Sequence, residues 1–337
     1  MKKVILIIII LSFLFIISCP LPPMKGPPEK ISLSAWECFS KETPFTPRAG
    51  FVLLSDYWII GGTSDGATGL NDIWRSNETG WERIKETAEF SGRWGHTGVV
   101  ICNNCSEFPY TYKKVIIGGT PDGVTGLNDV WYSEDGIDWI AATLSAGFSP
   151  RWGHTSVVVK NKMWVIGGTS DGVTGLNDVW YSEDGIDWIA ATLSAGFSPR
   201  WGHSCVVTSY DKIILIGGTS DGIKGLNDIW ETENGKEWKL VTSNAGFSGR
   251  WGHKSCCIRI GNIVVMGGRN KNNYFNDVWS TADSENYKTW IRQNNTNFIP
   301  RAEFGIFTQN YQIIKIFGGY DGVDYYNDEC HSSIKIY

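Results

Sequence analysis

Short apolar segments alternate with loops rich in Gly, Ser, Thr, Asn and Asp through most of the chain. In the best-repeated part, the runs Ser156 to Val159 and Met163 to Ile166 predict two β-strands, A and B. A polar loop, Gly167 to Leu176, comes next, and then Asp178 to Ser182 and Asp187 to Ala191 predict strands C and D. Because Glu-Asp-Gly joins the last two strands as a hairpin turn, the pattern indicates a four-stranded antiparallel sheet.

This pattern recurs about every fifty residues, a period typical of β-propellers. Each repeat has an Arg near its start, a Gly-Gly pair after strand B and an Asn-Asp pair before strand C. The Arg residues are Arg48, Arg93, Arg151, Arg200, Arg250 and Arg301. The Gly pairs begin at Gly61, Gly118, Gly167, Gly217, Gly267 and Gly318, and the Asn-Asp pairs begin at Asn71, Asn128, Asn177, Asn227, Asn276 and Asn327. Six complete sets predict an all-β, six-bladed propeller in which each repeat is one blade.

The last blade has no strand D in its own repeat, since only one predicted strand follows Asn327. The segment Ile31 to Ser40 contains Trp36 but no Gly-Gly or Asn-Asp pair, so we expect it to supply that strand and close the ring. In the blade template, Cys330 takes the Trp position of strand C, and Cys38 lies two residues after the Trp of strand D. We therefore expect a disulfide between Cys38 and Cys330.

The N-terminal segment predicts export and membrane anchoring. Two lysines precede the apolar stretch Val4 to Ile17, which is too short for a comfortable membrane span and typical of a signal peptide. The sequence Ile-Ile-Ser-Cys at its end resembles a bacterial lipobox in which Cys19 is lipidated. Five prolines between residues 20 and 28 predict an extended tether. We expect a signal peptide at 1–18, a tether at 19–30 and a propeller at 31–337, anchored in the bacterial cell envelope.

Charge and internal copying limit the functional interpretation. Removal of the two signal-peptide lysines takes the formal charge from −5 to −7, and the chain has no basic cluster, so no nucleic acid partner is expected. The segments Gly118 to His154 and Gly167 to His203 differ only at Pro121 and Ser170. Catalytic groups are different residues that converge on one point. Copied sequence therefore indicates scaffold, and the positions where the copies disagree are better candidates for function.

The Gly-Gly pair after strand B, the polar loop and the Trp of strand D together resemble the kelch repeat, over nearly all of residues 31–337. Phe317 to Gly322, in blade six, matches the kelch pattern most closely. The resemblance implies that the B–C loops and the D–A connections emerge on one side of the propeller, called the loop face below. The hairpin Ser182 to Trp188 also resembles a shortened sialidase Asp-box, a folding element that implies no glycosidase chemistry.

The repeat is broken mainly in the loops of blades five and six. Aromatic, amide and charged residues replace the Thr, Asp and Gly of the other loops, and this mixture suits contacts with a sugar or with a protein. The predicted ligand-binding residues are Arg269, Asn273, Tyr274, Tyr320, Asp321, Asp324 and Tyr325. We therefore expect a module that binds a protein or a glycan through the loop face without a cofactor. The alternative, in which these aromatic residues pack between blades, is equally compatible with the sequence.

Two chemical functions are alternatives to a binding module. The motif Arg-Trp-Gly-His places four histidines near the start of strand A, at His96, His154, His203 and His253. Because they recur in copied scaffold without an interleaved carboxylate, no metal site is expected. Kelch-type sialic acid mutarotases use a carboxylate near an Arg, and Glu303 beside Arg301 resembles such a pair. A metal-independent carbohydrate-active enzyme of the mutarotase or epimerase type is therefore the alternative function.

Overall fold

A computed structural model describes residues 31–39, 43–55, 57–77, 80–105, 108–258, 261–282, 287–294 and 296–336. The predicted signal peptide, Cys19 and the Pro-rich tether lie outside the described residues. The described part is all-β, with 25 strands and no α-helix. Accordingly, a helix of the length and apolarity needed to cross a membrane is not found there.

The strands are numbered in chain order, and β1 (Ile31–Leu33) and β2 (Glu37–Phe39) belong to blade six. Blade one contains β3 (Val52–Leu54), β4 (Trp58–Thr63), β5 (Gly69–Asn77) and β6 (Gly80–Lys85). Blade two contains β7 (Thr97–Asn104), β8 (Thr111–Gly119), β9 (Leu127–Ser133) and β10 (Ile140–Thr143). Blade three contains β11 (Thr155–Val159), β12 (Lys162–Thr169), β13 (Gly175–Ser182) and β14 (Ile189–Thr192).

Blade four contains β15 (Ser204–Val207), β16 (Ile213–Thr219), β17 (Gly225–Thr232) and β18 (Lys239–Thr242). Blade five contains β19 (Lys254–Cys257), β20 (Ile263–Met266), β21 (Val278–Thr281) and β22 (Trp290–Arg292). Blade six contains β23 (Gly305–Gln309), β24 (Ile313–Tyr320) and β25 (Tyr325–Ile336), together with β1 and β2. Each blade is an antiparallel sheet. In blades one to five the strands follow one another in the order of the chain, whereas in blade six β1 and β2 pair with the last strand, β25.

The second strand of a blade is longer than the apolar pattern predicts. In blade three it continues past Ile166 through the Gly-Gly pair to Thr169, so the predicted start of the B–C loop was wrong. Gly167 has a φ of +56°, a conformation that glycine adopts without steric cost. The register shifts there as a bulge, and the ladder resumes with Gly168 opposite Leu176.

The fourth strand begins later than predicted. In blade three it starts at Ile189 and not at Asp187, because the preceding residues belong to the hairpin turn. The Asp184 carboxylate accepts hydrogen bonds from the backbone N–H groups of Ile186 (2.8 Å) and Asp187 (3.0 Å). The Trp188 indole also donates to the turn, to a backbone carbonyl at 3.1 Å. The Asp-box-like sequence is therefore a turn that holds its own backbone.

The six blades form a closed ring. The first strands of neighbouring blades contact one another in the order β3, β7, β11, β15, β19, β23 and back to β3. In blade six, β25 pairs with β2 near its centre and with β1 near its end. The Asn327 side chain donates to the backbone carbonyls of Thr43 and Phe45, which join β2 to blade one. The predicted closure by the N-terminal segment is confirmed, although two short strands supply it in place of one.

The hydrophobic core lies between neighbouring blades. Val115 and Val130 of blade two, for example, pack in one cluster with Met163 and Val165 of blade three. The Trp of strand D packs edge-on against a fully buried Phe that precedes the Arg of the same blade, as in the pair formed by Trp188 with Phe148. The Trp residues of strand C are mostly only half-buried.

Trp36 occupies the strand D Trp position of blade six. Its ring meets Phe298, the Phe that precedes the Arg of that blade, edge-on at 4.9 Å. Phe45 makes the corresponding contact with Trp81 in blade one, at 5.2 Å. An edge-to-face pair of this kind contributes about 0.5–1.5 kcal/mol beyond the area it buries. The seam of the ring is therefore packed like the other blade interfaces.

Candidate functional site

A buried arginine ties the D–A connection to the second and third strands of each blade. In blade three, the Arg151 guanidinium donates to both carboxylate oxygens of Asp178 at 2.7 Å and to the Gly167 carbonyl at 2.9 Å. Its Nε donates to the Ser149 carbonyl at 2.9 Å. The same Arg–Asp pairs in the other blades are Arg48–Asp72, Arg93–Asp129, Arg200–Asp228, Arg250–Asp277 and Arg301–Asp328. The recurrence of these Arg residues in the sequence did not predict their ion pairs.

The same carboxylate also positions the Trp of strand C. Asp178 accepts a hydrogen bond from the Trp180 indole at 2.8 Å. Burial alone would raise the pKa of Asp178. The hydrogen bond from Arg151 and its positive charge outweigh that effect and hold the pKa below its usual value. The neighbouring Asn177 side chain donates to the carbonyls of Ala195 and Phe197 in the following D–A connection. The Arg and the Asn-Asp pair are therefore scaffold and are not available to a ligand.

A ring of backbone hydrogen bonds surrounds the mouth of the central channel. One residue of each blade donates its N–H to the carbonyl of the equivalent residue in the preceding blade, at 2.7 to 2.8 Å. The members are Gly50, Gly95, Gly153, Gly202, Gly252 and Glu303. Every member has a positive φ, which is +57° for Glu303 and +64° for its neighbour Gly252. Since a non-glycine residue is strained in this region, Glu303 is the exceptional member of the ring.

The four histidines are wedged between blades. Each is at most 5% exposed, and the Nε2 atoms of His154 and His253 share hydrogen bonds with hydroxyl groups of the preceding blade. Burial, followed by the nearby arginine of the same blade, lowers the pKa of His96 and His203 to about 3. These imidazoles are therefore neutral near pH 7. Among the described residues, His, Cys, Asp and Glu side chains form no cluster suited to a metal ion.

The B–C loops of blades one to four share one turn. In blade three, the Asp171 carboxylate accepts from the backbone N–H groups of Val173 (2.8 Å) and Thr174 (2.7 Å). Gly172 lies over the indole of Trp152, and a Cβ added to Gly172 would lie 3.2 Å from Cζ2 of that ring. Blades two and four repeat this contact with Trp94 and Trp201. The Trp that starts each of these blades is therefore the floor of its loop.

At the junction of blades five, six and one, this floor comes from a neighbouring blade. Ala49 and Ala302 stand where blades two to five have Trp. The Tyr274 ring of blade five lies under Gly322 of blade six, and the Tyr325 hydroxyl of blade six lies under the B–C loop of blade one. Both tyrosines are only half-buried. They partly pack between blades, which was the alternative left open by the sequence, and part of each ring remains accessible.

The predicted ligand-binding residues form a row along this rim. The Arg269 guanidinium lies over Trp251 at 5.3 Å and donates to the Tyr274 hydroxyl at 2.7 Å. Tyr274 meets Tyr320 edge-on at 5.8 Å, and Tyr320 stacks on Tyr325 at 4.6 Å. Burial, followed by Tyr320, raises the pKa of Tyr325 to about 12, so its hydroxyl keeps its proton near neutral pH. These four residues therefore make one continuous row.

The other three predicted residues lie at the tips of the same two loops. Asp321 accepts from the backbone N–H groups of Val323 and Asp324 and from the Tyr326 hydroxyl, so it mainly holds its turn. The side chains of Asp324 and Asn273 are exposed. The row described above is thus flanked by one accessible carboxylate and one accessible amide.

Glu303 and Arg301 have different environments. Arg301 is fully buried and pairs with Asp328, and it donates to the Gly318 carbonyl at 2.8 Å. The Glu303 carboxylate lies over Gly252, where an added Cβ would be 2.8 Å from its Oε1. Arg301 is therefore used by the scaffold, and Glu303 alone of the two stands at the channel mouth.

Exposed apolar residues at the loop tips are a feature that sequence analysis missed. In the B–C loops, Val124, Val173 and Ile223 are 72%, 63% and 57% exposed. In the D–A connections on the same face, Leu144 and Leu193 are 69% and 70% exposed. Four of the five were missed because they lie in the copied sequence, which had been assigned to scaffold, and Ile223 takes the equivalent place in blade four. The signal available was an apolar residue directly after Asp-Gly, where turns are usually polar.

Two pairs of cysteines form disulfides. Cys38 of β2 lies directly opposite Cys330 of β25 and is bonded to it, as expected from the blade template. Cys102 and Cys105 form a local disulfide in blade two. Cys205 and Cys256 lie on first strands, and burial raises the pKa of both thiols, so neither is an activated nucleophile.

Two family models match the chain. The model of the KLHDC2/KLHL20/DRC7 Kelch-repeats domain matches residues 187–334, and the model of the Kelch motif matches residues 150–181. Together these matches extend from the start of blade three to the last strand of blade six. No curated protein matches the chain significantly.

Proposed function

Because this chain is a kelch-repeat β-propeller, a fold that fits a protein-binding module, we propose that it recognises a protein partner through its loop face. The proposed contact surface has an apolar part on blades two to four and a mainly polar, aromatic part on blades five and six, where Val323 adds one more exposed apolar tip. The two parts surround the same channel mouth. Fold alone does not specify a partner, so the proposal depends on these surface residues.

The arc of exposed apolar tips is the observation that supports the proposal most directly. The loops that present Val124, Val173 and Ile223 are neighbours: a Cβ on Gly172 would lie 3.8 Å from the Gly123 carbonyl oxygen, and one on Gly222 would lie 4.0 Å from the Gly172 carbonyl oxygen. Apolar groups that recur side by side on a surface favour an interaction site, whereas isolated ones need no explanation. Three neighbouring blades therefore present an exposed β-branched apolar side chain at the equivalent loop position.

The rim of blades five and six suits the polar edge of such an interface. Arg and Tyr are enriched where protein interfaces bind tightly, and Arg269, Tyr274, Tyr320 and Tyr325 form the row there. A protein is favoured over a glycan because Tyr320 and Tyr325 stack on each other, which uses ring faces that a sugar would otherwise cover. The glycan remains an outcome of the test below.

The test compares two triple variants of the purified protein. In the first, Val124, Val173 and Ile223 are each replaced by Asp. In the second, the control, Ile137, Ile186 and Lys236 at the equivalent C–D turns of the opposite face are each replaced by Asp. Quantitative mass spectrometry of proteins retained from an extract of the producing cells should show one partner held by the wild type and the control but lost by the loop-face variant.

Two results would contradict this proposal. Equal retention by both variants would remove the loop face from the interaction. Selective retention of a glycan on a mixed array, lost on Tyr320→Ala but not on the loop-face triple variant, would establish the glycan reading instead. Hydrogen exchange of the bound complex should show protection at residues 122–125, 171–174 and 221–224.

We also propose that Cys19 anchors the protein to a bacterial membrane, on the basis of the lipobox-like sequence before it. Labelled palmitate should be incorporated into the wild type and not into the Cys19→Ser variant. Fractionation should find the wild type with the cell envelope and the variant in the soluble fraction. Envelope association of the variant without label would contradict lipid anchoring.

A further inference from the structure

The central channel is a second feature that the loop-face proposal does not use. It has a volume of 250 Å³ and is lined by residues at the start of all six first strands. Apolar side chains, Ser and Thr hydroxyls and the four neutral imidazoles form most of its wall. Among the described residues that line it, Lys254 provides the one ammonium group.

Lys254 lacks the partner that its position has in other blades. At equivalent positions, Thr97 Oγ1 lies 2.8 Å from His154 Nε2, and Ser204 Oγ lies 2.9 Å from His253 Nε2. The residue of blade six in the place of those histidines is Phe304, whose ring has no hydrogen-bond acceptor of that strength. Within the described part of the chain, Lys254 Nζ forms neither an ion pair within 4.0 Å nor a hydrogen bond.

Further polar atoms on the channel wall also lack a partner among the described residues. They include Ser156 Oγ, Ser255 Oγ and the Nε2 atoms of His96 and His203, and each is buried. His96 differs from His154 because the preceding blade presents Val52 to it and not a hydroxyl group. Buried polar atoms are nearly always satisfied in folded proteins, so several around one cavity indicate that the cavity holds a polar occupant.

The charge of Lys254 acts inside the channel. Burial lowers the pKa of Lys254, and the Glu303 carboxylate at the mouth partly opposes that shift. The ammonium in turn contributes to lowering the pKa of His96, which lies in blade two on another part of the wall. An anion inside the channel would therefore relieve a charge that the surrounding wall solvates poorly.

We propose that the channel binds a small monovalent anion, such as a short-chain carboxylate, on the ammonium group of Lys254. A carboxylate has two oxygens that accept several hydrogen bonds at once, which matches a channel wall that carries both an ammonium and serine hydroxyls. A single positive charge balances one negative charge, whereas a dianion would leave one uncompensated in a poorly hydrated space. The volume allows a few heavy atoms together with water, since one water takes about 30 Å³ of liquid.

The first experiment is a calorimetric titration of the purified protein with sodium acetate at constant ionic strength and pH 7. We expect saturable binding at one site in the wild type and binding weaker by at least about tenfold in Lys254→Met, because a charge-assisted hydrogen bond is lost. Glu303→Gln should bind acetate about threefold or more tightly, because a nearby negative charge is removed. Lys212→Met, a change of a surface lysine, should bind like the wild type.

Two further measurements separate this proposal from simpler ones. Without acetate, Lys254→Met should melt at a higher temperature than the wild type, since a poorly solvated charge is removed. A lower melting temperature would mean that Lys254 serves the fold through Glu303, and would overturn the proposal. Crystals soaked in bromide should show an anomalous peak within hydrogen-bond distance of Nζ. Absence of that peak, together with no saturable acetate binding, would leave the channel filled by water only.

Discussion

In blade three the Asp-Gly turn at Gly172 rests on Trp152 of the same blade, whereas in blade six the turn at Gly322 rests on Tyr274 of the blade before. The space is filled in both cases, but the side chain that fills it comes from a different part of the sequence. Because Tyr274 of blade five fills the space under the blade-six turn, Ala302 can stand in the Trp position, and Tyr274 comes into contact with Tyr320. A rim of interacting side chains thus replaces a set of independent loops.

The comparison extends from the loops into the channel. Blades two to five place His over the first Gly of the preceding Gly-Gly pair, while blades six and one place Phe304 and Phe51 there. The ring around the mouth has Gly in five blades and Glu303 in the sixth. The buried Arg–Asp pair, in contrast, is the same in the repeated blades and at the junction. The junction therefore differs from the repeated blades in its surface and channel, and not in its scaffold.

The largest expected effect tests whether the scaffold is shared. Arg200→Met in blade four and Arg301→Met in blade six should each lower the free energy of unfolding by about 3–5 kcal/mol, because Asp228 or Asp328 loses its partner inside a blade. Urea unfolding measures both. Arg83→Met, at an exposed ion pair, is the control and should change stability by less than about 0.5 kcal/mol. If Arg301→Met lowered the free energy of unfolding much less than Arg200→Met, the scaffold of blade six would not be equivalent to that of blade four.

The second effect concerns the seam, which has no counterpart in blades two to five. Cys38→Ser removes a disulfide whose cysteines are 292 residues apart, and should lower stability by about 2–4 kcal/mol by freeing the unfolded chain. In urea unfolding, reductant should lower the stability of the wild type by about as much as the Cys38→Ser substitution lowers it without reductant. If neither the reductant nor the substitution changed the stability, β1 and β2 would close the ring by strand pairing alone.

Acid should affect the repeated blades through their histidines. The pKa of His96 and His203 is about 3 in the folded protein and about 6.5 in the unfolded chain. Their stabilisation is complete above pH 6.5 and is lost as pH falls towards 3, since the unfolded chain takes up protons that the folded protein does not. Each contributes a slope of about 1.4 kcal/mol per pH unit in that window.

His203→Phe reproduces the junction residue in a repeated blade and sharpens this test. Unfolding between pH 7.5 and 4.5 should show a shallower loss of stability for the variant than for the wild type. The window lies above the ordinary pKa of 3.8 of the paired carboxyl groups such as Asp228, so they contribute little there. An unchanged slope would mean that His203 is protonated in the folded protein.

The smallest expected effect is at the ring around the mouth. Glu303→Gly should raise the free energy of unfolding by about 1 kcal/mol, because glycine adopts the positive φ without strain. The reciprocal change, Gly202→Ala, should lower it, since its Cβ would lie 3.0 Å from Cβ of Trp251. Glu303→Ala, which keeps the strain, is the control. A loss of stability in Glu303→Gly would show that the carboxylate itself stabilises the mouth.

The fold was predictable because its landmarks recur. Six Arg, Gly-Gly and Asn-Asp sets determined the number of blades, and the absence of such a set around Trp36 predicted the closing strand. Strand boundaries were less predictable, since the bulge at Gly167 lets a strand continue through residues that read as loop. Apolar periodicity does not report a bulge.

The site was only partly predictable. Departures from the repeat singled out the loops that hold Arg269 and Tyr320. They did not predict which rings would face one another, because Tyr274 and Tyr325 pack across blade boundaries. The Arg–Asp pairs were missed although both residues occur once per blade, since the intervening length varies from 24 to 36 residues. Lys254 left one signal, a charged residue where other blades have Val, Thr, Ser or Gly.

The pairing of β25 with β1 and β2 also sets an order of events during synthesis. The 292 residues between Cys38 and Cys330 take roughly 15 to 60 s to be translated at cellular rates. For all of that time the first two strands are unpaired edges, and the thiol of Cys38 meets those of Cys102 and Cys105 before its own partner exists. The yield of native protein therefore depends on chaperones that shield the N-terminal edge and on enzymes that exchange wrongly paired disulfides.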